Sequence, residues 1–283
     1  MNNPVLYQKF AGPRLRPGMD LLHRVIALNS SRGPAVKIAD LGCGSGQLTT
    51  PLADAFPSKD LNIVAIDSSA NMLAQAKKSL CSSSYLDHIS FQQNTFEGFT
   101  KDESVPNDFD LIFSNSAFHW TENHDVLLPN LIRKLKQKTG ILAFQIPDSR
   151  LQMSHTLMSE AAKKCGLIAV LKNVRIPQCQ LDPIHYYRIL SPLVAYLDIW
   201  TTIYVQPLDV ELNTQHPVAD FYSSTGLSVY LNALGGIEDE KSKSLLKAYS
   251  ELLDEKYPPL TGVDGNKVVL LEVKRFFLVA QCR

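Results

Sequence analysis

The 283-residue chain lacks most features that would assign it to a membrane, a nucleic acid or an oxidising compartment. No apolar run approaches the roughly 20 residues a membrane-spanning helix needs. Lysine plus arginine and aspartate plus glutamate stand at 28 each. There is thus no basic excess of the kind that covers a nucleic acid or an anionic membrane, although a local basic pocket for a small anion stays open. Met1 to Phe10 shows no basic segment followed by an apolar one, so no secretory signal is expected. The five cysteines, Cys43, Cys81, Cys165, Cys179 and Cys282, are odd in number, scattered and without C-x-x-C spacing. They are expected as reduced thiols of a cytoplasmic protein, not as a disulfide frame or a zinc site. No cluster of His, Cys and carboxylates has ligand spacing, so no metal is expected. There is no internal repeat, and the serine-rich stretch Cys81–Ser84 is short enough to be a loop.

What is present is a rhythm. Apolar runs at Lys37–Leu41, Asn62–Ile66, Ile89–Gln92, Phe109–Phe113 and Ile141–Ile146 alternate with helical stretches at Gln47–Ala55 and Ala70–Leu80 and around Leu127, Leu128, Leu131 and Leu135. Strands separated by helices predict βαβ units and a parallel sheet buried on both faces. The second half departs from this. Leu151–Cys165 and Lys241–Lys256 read as helices, while Asp198–Val205 and Lys267–Ala280 are rich in β-branched and aromatic residues and read as strands. The predicted fold is α/β: a Rossmann-like doubly wound seven-stranded sheet, mostly parallel with one antiparallel edge strand, and a helical cap insertion. The expected divisions are an N-terminal cap segment (1–30), a core (31–150), a helical substrate cap (151–266, including a late strand at 196–206) and a final strand (267–283).

The sharpest local signal is Asp40-Leu41-Gly42-Cys43-Gly44-Ser45-Gly46, between a predicted strand and a helix. Glycines there permit a sharp turn and close approach of backbone to a ligand. A dinucleotide-binding G-x-G-x-x-G loop would place its third glycine at position 47, where Gln47 stands. Here it comes one residue early, with an aspartate two residues before the first glycine, a pattern in which no pyrophosphate has to be cradled. Asp67, at the end of the second strand, is positioned to accept both hydroxyls of a ribose; the plainer alternative is a turn aspartate capping the helix that begins at Ala70.

Asp40–Gly46 with Asp67-Ser68-Ser69 resembles the class I S-adenosylmethionine-dependent methyltransferases. Other stretches resemble, within them, the trans-aconitate 2-methyltransferase family. These are Tyr7-Gln8-Lys9-Phe10 with Arg14, Arg16 and Pro17; Ile112 to Ala117 leading to His119-Trp120; Phe144 to Asp148; Asp198-Ile199-Trp200; Thr225-Gly226-Leu227; Tyr257-Pro258; and Arg275 to Ala280. The resemblance implies S-adenosylmethionine as cofactor. Asp40, Gly42 and Gly44 would line its methionine part, and Gly46 would belong to the cofactor-binding set with them. Asp67 would take the ribose, with Ser68 beside it in the cofactor-binding set, Met72 would pack on the adenine, and Thr95 and Phe96 would flank the adenine edge. Asn115 and Ser116 would lie beside the sulfonium.

Methyl transfer from a sulfonium is an in-line displacement on an already electrophilic carbon, so alignment matters most. A carboxylate acceptor is ionised at neutral pH and needs no general base; no catalytic acid or base is expected. The demand is to hold a small polyanion, with bidentate and charge-assisted donors. Arg14, His119, His185, Tyr187, Tyr204 and Arg275 are the candidates, with Tyr7, Phe10, Trp120 and Trp200 as walls. Each has a bland alternative: solvated arginines, Arg275 paired with Glu272, aromatics simply in the core. The expected partner is a small carboxylic acid, with no nucleic acid and no membrane; oligomeric state is not legible. Competing readings are methylation of a fatty or acyl-carrier carboxylate, carbon methylation of a lipid or quinone precursor, and a catalytically silent cofactor-binding protein. The apolar Leu190–Leu197 run and Thr201-Thr202-Ile203 after Trp200, where no arginine stands, keep the first two open.

Overall fold

The structure is a computed structural model that describes residues 11–28, 35–174, 182–211 and 215–283. The chain begins, among the described residues, with helix α1 (Ala11–Leu28). Then follow β1 (Ala35–Leu41), α2 (Thr49–Ala55), β2 (Asp60–Asp67), α3 (Ala70–Ser79), β3 (Ile89–Gln93), α4 (Phe96–Lys101), β4 (Leu111–Asn115), α5 (His124–Lys134) and β5 (Ile141–Pro147). The later elements are α6 (Met153–Lys164), α7 (Ile168–Leu171), α8 (Pro183–Leu190), β6 (Val194–Asp209), α9 (Pro217–Ser223), α10 (Ser228–Ala233), α11 (Glu240–Lys256), β7 (Leu260–Thr261) and β8 (Lys267–Cys282).

The strands lie in the order β3-β2-β1-β4-β5-β8-β6, with the two-residue β7 pairing β8 off this path, which makes eight strands where seven were expected. Pairs β1–β2, β1–β4, β2–β3 and β4–β5 are parallel; β8 runs antiparallel to β5. The late strands β8 and β6 thus lie together at one edge of a mostly parallel sheet, as expected, with β6 outermost. β5 is buried along Ile141–Ile146, as an apolar strand covered on both faces must be. The strand order reverses between β1 and β4, and the carboxyl ends of strands at such a reversal are where open α/β sheets bind ligands.

Three expectations shift. The fourth strand starts at Leu111 rather than Phe109, which makes only an isolated parallel bridge to Leu135. β6 is twice the length of the expected Asp198–Val205 strand, because Val194–Leu197 before it and Gln206–Asp209 after it continue the extended run. Helix α1 lies where only a cap segment, with no element drawn in it, was expected; Pro17 and Gly18 in its middle disfavour helix on propensity. Its apolar face decides otherwise, with Leu21, Leu22 and Val25 almost wholly buried.

The chain divides into two compact units. One takes Arg14–Pro147, Cys179–Thr202 and Arg275–Arg283. Its core joins the sheet to α5 and α8 through Phe118, Leu128, Phe144, Tyr186 and Phe276. Tyr186 stacks on Phe276 with centroids 4.7 Å apart, a contact worth about 0.5–1.5 kcal/mol beyond its area. His124, fully buried, is satisfied by the Tyr186 hydroxyl at 2.7 Å and the Phe118 carbonyl at 2.9 Å. That pair of bonds fixes the 3-10 turn Phe118–Trp120 after β4. At the sheet's far side Arg24 of α1 holds Asp198 of β6 at 2.6 Å and the Tyr196 hydroxyl at 2.6 Å, which raises the guanidinium's pKa.

The other unit takes Met1–Pro13, Asp148–Gln178 and Ile203–Lys274. Here α6 and α11 pack around Leu157, Leu245, Tyr249 and Leu253, and the Tyr249 hydroxyl donates to the Ser154 carbonyl at 3.0 Å. Arg150, and then Lys274, hold the buried Asp148 carboxyl down to about 2.

Candidate functional site

The glycine loop leaves β1 at its carboxyl end. The N–H groups of Gly42 and Cys43 both donate to the Ile66 carbonyl, at 2.8 and 3.0 Å, which fastens the loop to the end of β2. Gly42 and Gly44 have φ of +75° and +56°, a region that costs a residue with a Cβ. A Cβ on Gly42 would lie 2.3 Å from the Ala117 Cβ, and one on Gly44 3.3 Å from the Met72 Cε. Met72 therefore covers the loop from α3, and Phe96 covers Gly42 while its ring meets Phe118 edge-on at 5.0 Å. Gly46 shares the positive φ, at +80°, and is in addition buried under Leu80 and Ala76 of the α3 segment, so its missing side chain admits a helix.

Asp67 is braced across the loop. One carboxylate oxygen accepts the Gly44 N–H at 3.0 Å and the other the Ser69 N–H at 2.9 Å. A carboxylate offers about four acceptor sites, so one on each oxygen remains, the set that a vicinal diol requires. The helix cap that was the alternative role for Asp67 belongs to Ser69, whose hydroxyl accepts the Met72 N–H at 3.3 Å. Ser68 is exposed in the same turn, its carbonyl accepting from Gln93 at 3.2 Å. Thr95 caps α4 by accepting the Gly98 N–H at 2.9 Å.

Asp40 is 2% exposed and accepts a hydrogen bond from the Thr49 hydroxyl at 2.8 Å. Burial, and then the nearby Asp67 charge, raise its carboxyl to about 6, while the Thr49 bond opposes the rise. Burial likewise pushes the Cys43 thiol well up, so it is no nucleophile.

A second cluster lies at the carboxyl ends of β4 and β5. In register, Asn115 stands opposite Gln145, Gln145 opposite Phe277, and Pro147 opposite Arg275. Residues opposite one another or two apart share a face of the sheet, which brings Asn115, Gln145 and Arg275 to one side. Gln145 Nε2 donates to Asn115 Oδ1 and, at 2.7 Å, to Ser116 Oγ; Arg275 Nη1 donates to the same Oγ at 3.1 Å. Arg275 thus holds Ser116 across 159 residues of chain, in place of the Glu272 pairing weighed above. Trp200 stacks on Phe277 at 4.8 Å and 9°. Gly18 of α1 rests on Asn115, where a Cβ would come within 2.8 Å of Oδ1. Arg14 precedes Gly18 by four residues and so shares its helix face.

The remaining candidates are placed as follows. His119 is buried with its ring 5.3 Å from that of Trp120, which is half exposed. His185 bonds Asp125 at 2.6 Å, and Tyr187, two residues on, is 58% exposed. Tyr204 is buried in the second unit. Tyr7 and Phe10 lie outside the described residues. Sequence reasoning missed three participants. Gln145 stood within the Phe144–Asp148 stretch of the family resemblance but was given no role. Thr49 carried no signal, and Gly18 only that of a glycine inside a helix. Among the described residues no group of three His, Cys, Asp or Glu could hold a metal ion, and no helix is long and apolar enough to cross a membrane.

A strand order of this kind, a glycine loop at the reversal point and an acid ending the neighbouring strand define a class I methyltransferase. The comparisons agree. A methyltransferase-domain family model matches residues 33–202. Trans-aconitate 2-methyltransferase of Variovorax paradoxus is 32% identical over 99% of this chain and 97% of its own length; that of Sinorhizobium fredii is 35% identical over 97% and 96%. The YcgJ protein of Bacillus subtilis, at 14% identity, superposes with a TM-score of 0.53 over 94% of this chain and 99% of its own, which speaks for the fold. The chain belongs to the methyltransferase family that includes the trans-aconitate 2-methyltransferases, and its cofactor is S-adenosylmethionine.

Proposed function

We propose that this methyltransferase forms a methyl ester on a carboxylate of a small polycarboxylic acid, with trans-aconitate as the leading substrate. The observation that carries this is the cluster of Arg275, Ser116, Gln145 and Asn115 at the carboxyl ends of β4 and β5, a set of donors suited to an anion. The names of its full-length relatives support it.

The residues present fit the cofactor. Gly42 and Gly44 turn the backbone through positive φ at the carboxyl end of β1, where an open α/β sheet binds its ligand, Asp67 keeps one acceptor site on each oxygen for the ribose, and Asp40 is a buried carboxylate that a cationic neighbour would return to its ionised form. Bound there, S-adenosylmethionine supplies an electrophilic methyl group. Arg275 and Arg14, with Ser116 and Asn115, would hold and orient the acid. Trp200, stacked on Phe277, and Trp120 would keep water from the carboxylate. No side chain has to take a proton, because the acceptor is already ionised. We place the enzyme in the cytoplasm; Cys43, Cys81, Cys165 and Cys282 are free thiols, as a reducing compartment leaves them.

The test is incubation with radiolabelled S-adenosylmethionine and a panel of trans-aconitate, cis-aconitate, isopropylmalate and a long-chain fatty acid. Base-labile label on trans-aconitate, well above that on the fatty acid, is the expected result. Label on the fatty acid alone would overturn the substrate assignment.

A further inference from the structure

We infer that Ser116 presents its hydroxyl proton to a carboxylate of the acid, and that Gln145 and Arg275 together force it into that donor role. The inference rests on the carboxyl-methyltransferase reading above and names a residue that sets its specificity.

A serine hydroxyl has one proton to give and two lone pairs to accept with. At Ser116 both lone pairs are engaged, by Gln145 Nε2 at 2.7 Å and Arg275 Nη1 at 3.1 Å. A guanidinium carries donors only, so toward Arg275 the oxygen can do nothing but accept. The two hydrogens of the Gln145 amide are also committed, one to Ser116 and one to Asn115 Oδ1. The Ser116 N–H is spent on the Gln145 carbonyl at 2.9 Å. What Ser116 retains is its O–H proton, and what Asn115 retains is its Nδ2 group.

Exposure decides which way these point. Gln145 is wholly buried, whereas Asn115 and Ser116 are both partly exposed. The surface they make therefore shows donors, with the acceptors turned inward. Ser116 also holds φ at +53°, unusual for a residue with a Cβ. Such a conformation persists where its surroundings over-determine it, as they do here through three bonds. A hydroxyl whose oxygen accepts from a cation and an amide is polarised, and it gives its shortest and strongest bond to an anion.

This changes one placement. The family resemblance puts Ser116 beside the sulfonium. A donor-only group backed by a guanidinium is a poor neighbour for that cation and a good one for the acid, so Ser116 belongs to the acceptor side. Gln145 is a positioning residue: it touches no substrate and acts by filling the second lone pair of Ser116.

The experiment compares the full-length enzyme with Ser116→Ala and Gln145→Glu. It reads KM and kcat for a polyacid, and the Kd of S-adenosylhomocysteine by calorimetry. Ala accepts the same backbone angle as Ser, so Ser116→Ala should fold. Loss of a hydroxyl bonded to a charged group predicts a KM for the acid raised about tenfold or more, with the Kd for S-adenosylhomocysteine moved less than twofold. Gln145→Glu offers acceptors where donors stood, draws the Ser116 proton inward and should raise KM at least as far while leaving that Kd alone. If Gln145→Glu does not fold, Ser116→Ala alone decides. Unchanged KM in Ser116→Ala overturns the inference and leaves the proposed function standing. A weakened Kd for S-adenosylhomocysteine with unchanged KM also overturns it, since the hydroxyl would then face the cofactor's own carboxylate. A wild-type enzyme that methylates an amine or alcohol and none of the acids removes the functional reading, and this inference with it.

Discussion

Replacing Asp40 by Asn should separate stability from binding. Asp40 is buried, and its carboxyl is raised from an ordinary 3.8 to about 6, first by burial and then by Asp67. A raised acid contributes stability in its protonated form. That contribution is complete below the unfolded value and is lost as pH climbs through the folded one. At about 1.4 kcal/mol per pH unit, holding the ion inside the fold costs about 3 kcal/mol at neutral pH. An Asn keeps the acceptor for Thr49, but its amide N–H2 then needs a partner, at about 1–3 kcal/mol if it finds none. The net offset at one pH is therefore small, and its slope is the discriminating quantity. The amide penalty does not depend on pH, while the carboxylate penalty does. Urea unfolding of both proteins without cofactor, at pH 4, 6 and 8, should show the variant gaining about 2 kcal/mol relative to wild type from the lowest pH to the highest. Calorimetry at pH 8 should show its affinity for S-adenosylmethionine reduced about tenfold or more, as a lost charged partner implies. A stability difference that is flat with pH, or that favours wild type more as pH rises, would refute the reasoning.

Three further outcomes are expected. Gly42→Ala places a Cβ 2.3 Å from that of Ala117 at a φ of +75°; it should lower the urea midpoint by the equivalent of about 1–3 kcal/mol and abolish cofactor binding in the same samples. Asp67→Ala removes both the ribose acceptor and the brace on Gly44; its Kd for S-adenosylhomocysteine should rise at least tenfold, and a Kd within twofold of wild type would remove Asp67 from the site. Because the reacting carboxylate is already ionised, kcat should be nearly flat from about pH 6.5 to 8.5. Below about pH 6 the KM for S-adenosylmethionine should climb as Asp40 takes up its proton. A steep rise in kcat through neutrality would mean that a hydroxyl, amine or carbon acid is being deprotonated.

Features confined to short stretches of chain were legible before any tertiary contact was known. The strand–glycine loop–helix of Asp40–Gly46 and the acid ending β2 lie within one βαβ unit, so their geometry follows from neighbours that were visible together. The alternation of apolar strands with helices was enough to call a parallel, doubly wound sheet. The polar cluster at the carboxyl ends of β4 and β5 could not be called in this way. Asn115, Gln145 and Arg275 meet only because β5 pairs β4 in one register and β8 enters antiparallel between β5 and β6. Arg275 was a candidate, yet its partner Ser116 stands 159 residues away, and Gln145, though within a stretch of the family resemblance, had no visible partner. Helix α1 was missed for the same reason in reverse. Pro17 and Gly18 disfavour helix locally, and the contact that makes a glycine useful there, with Asn115, is tertiary. Propensity and spacing are read over a turn or a strand; which lone pair of Ser116 is filled, and therefore which atom it can offer a substrate, depends on the packing of three strands.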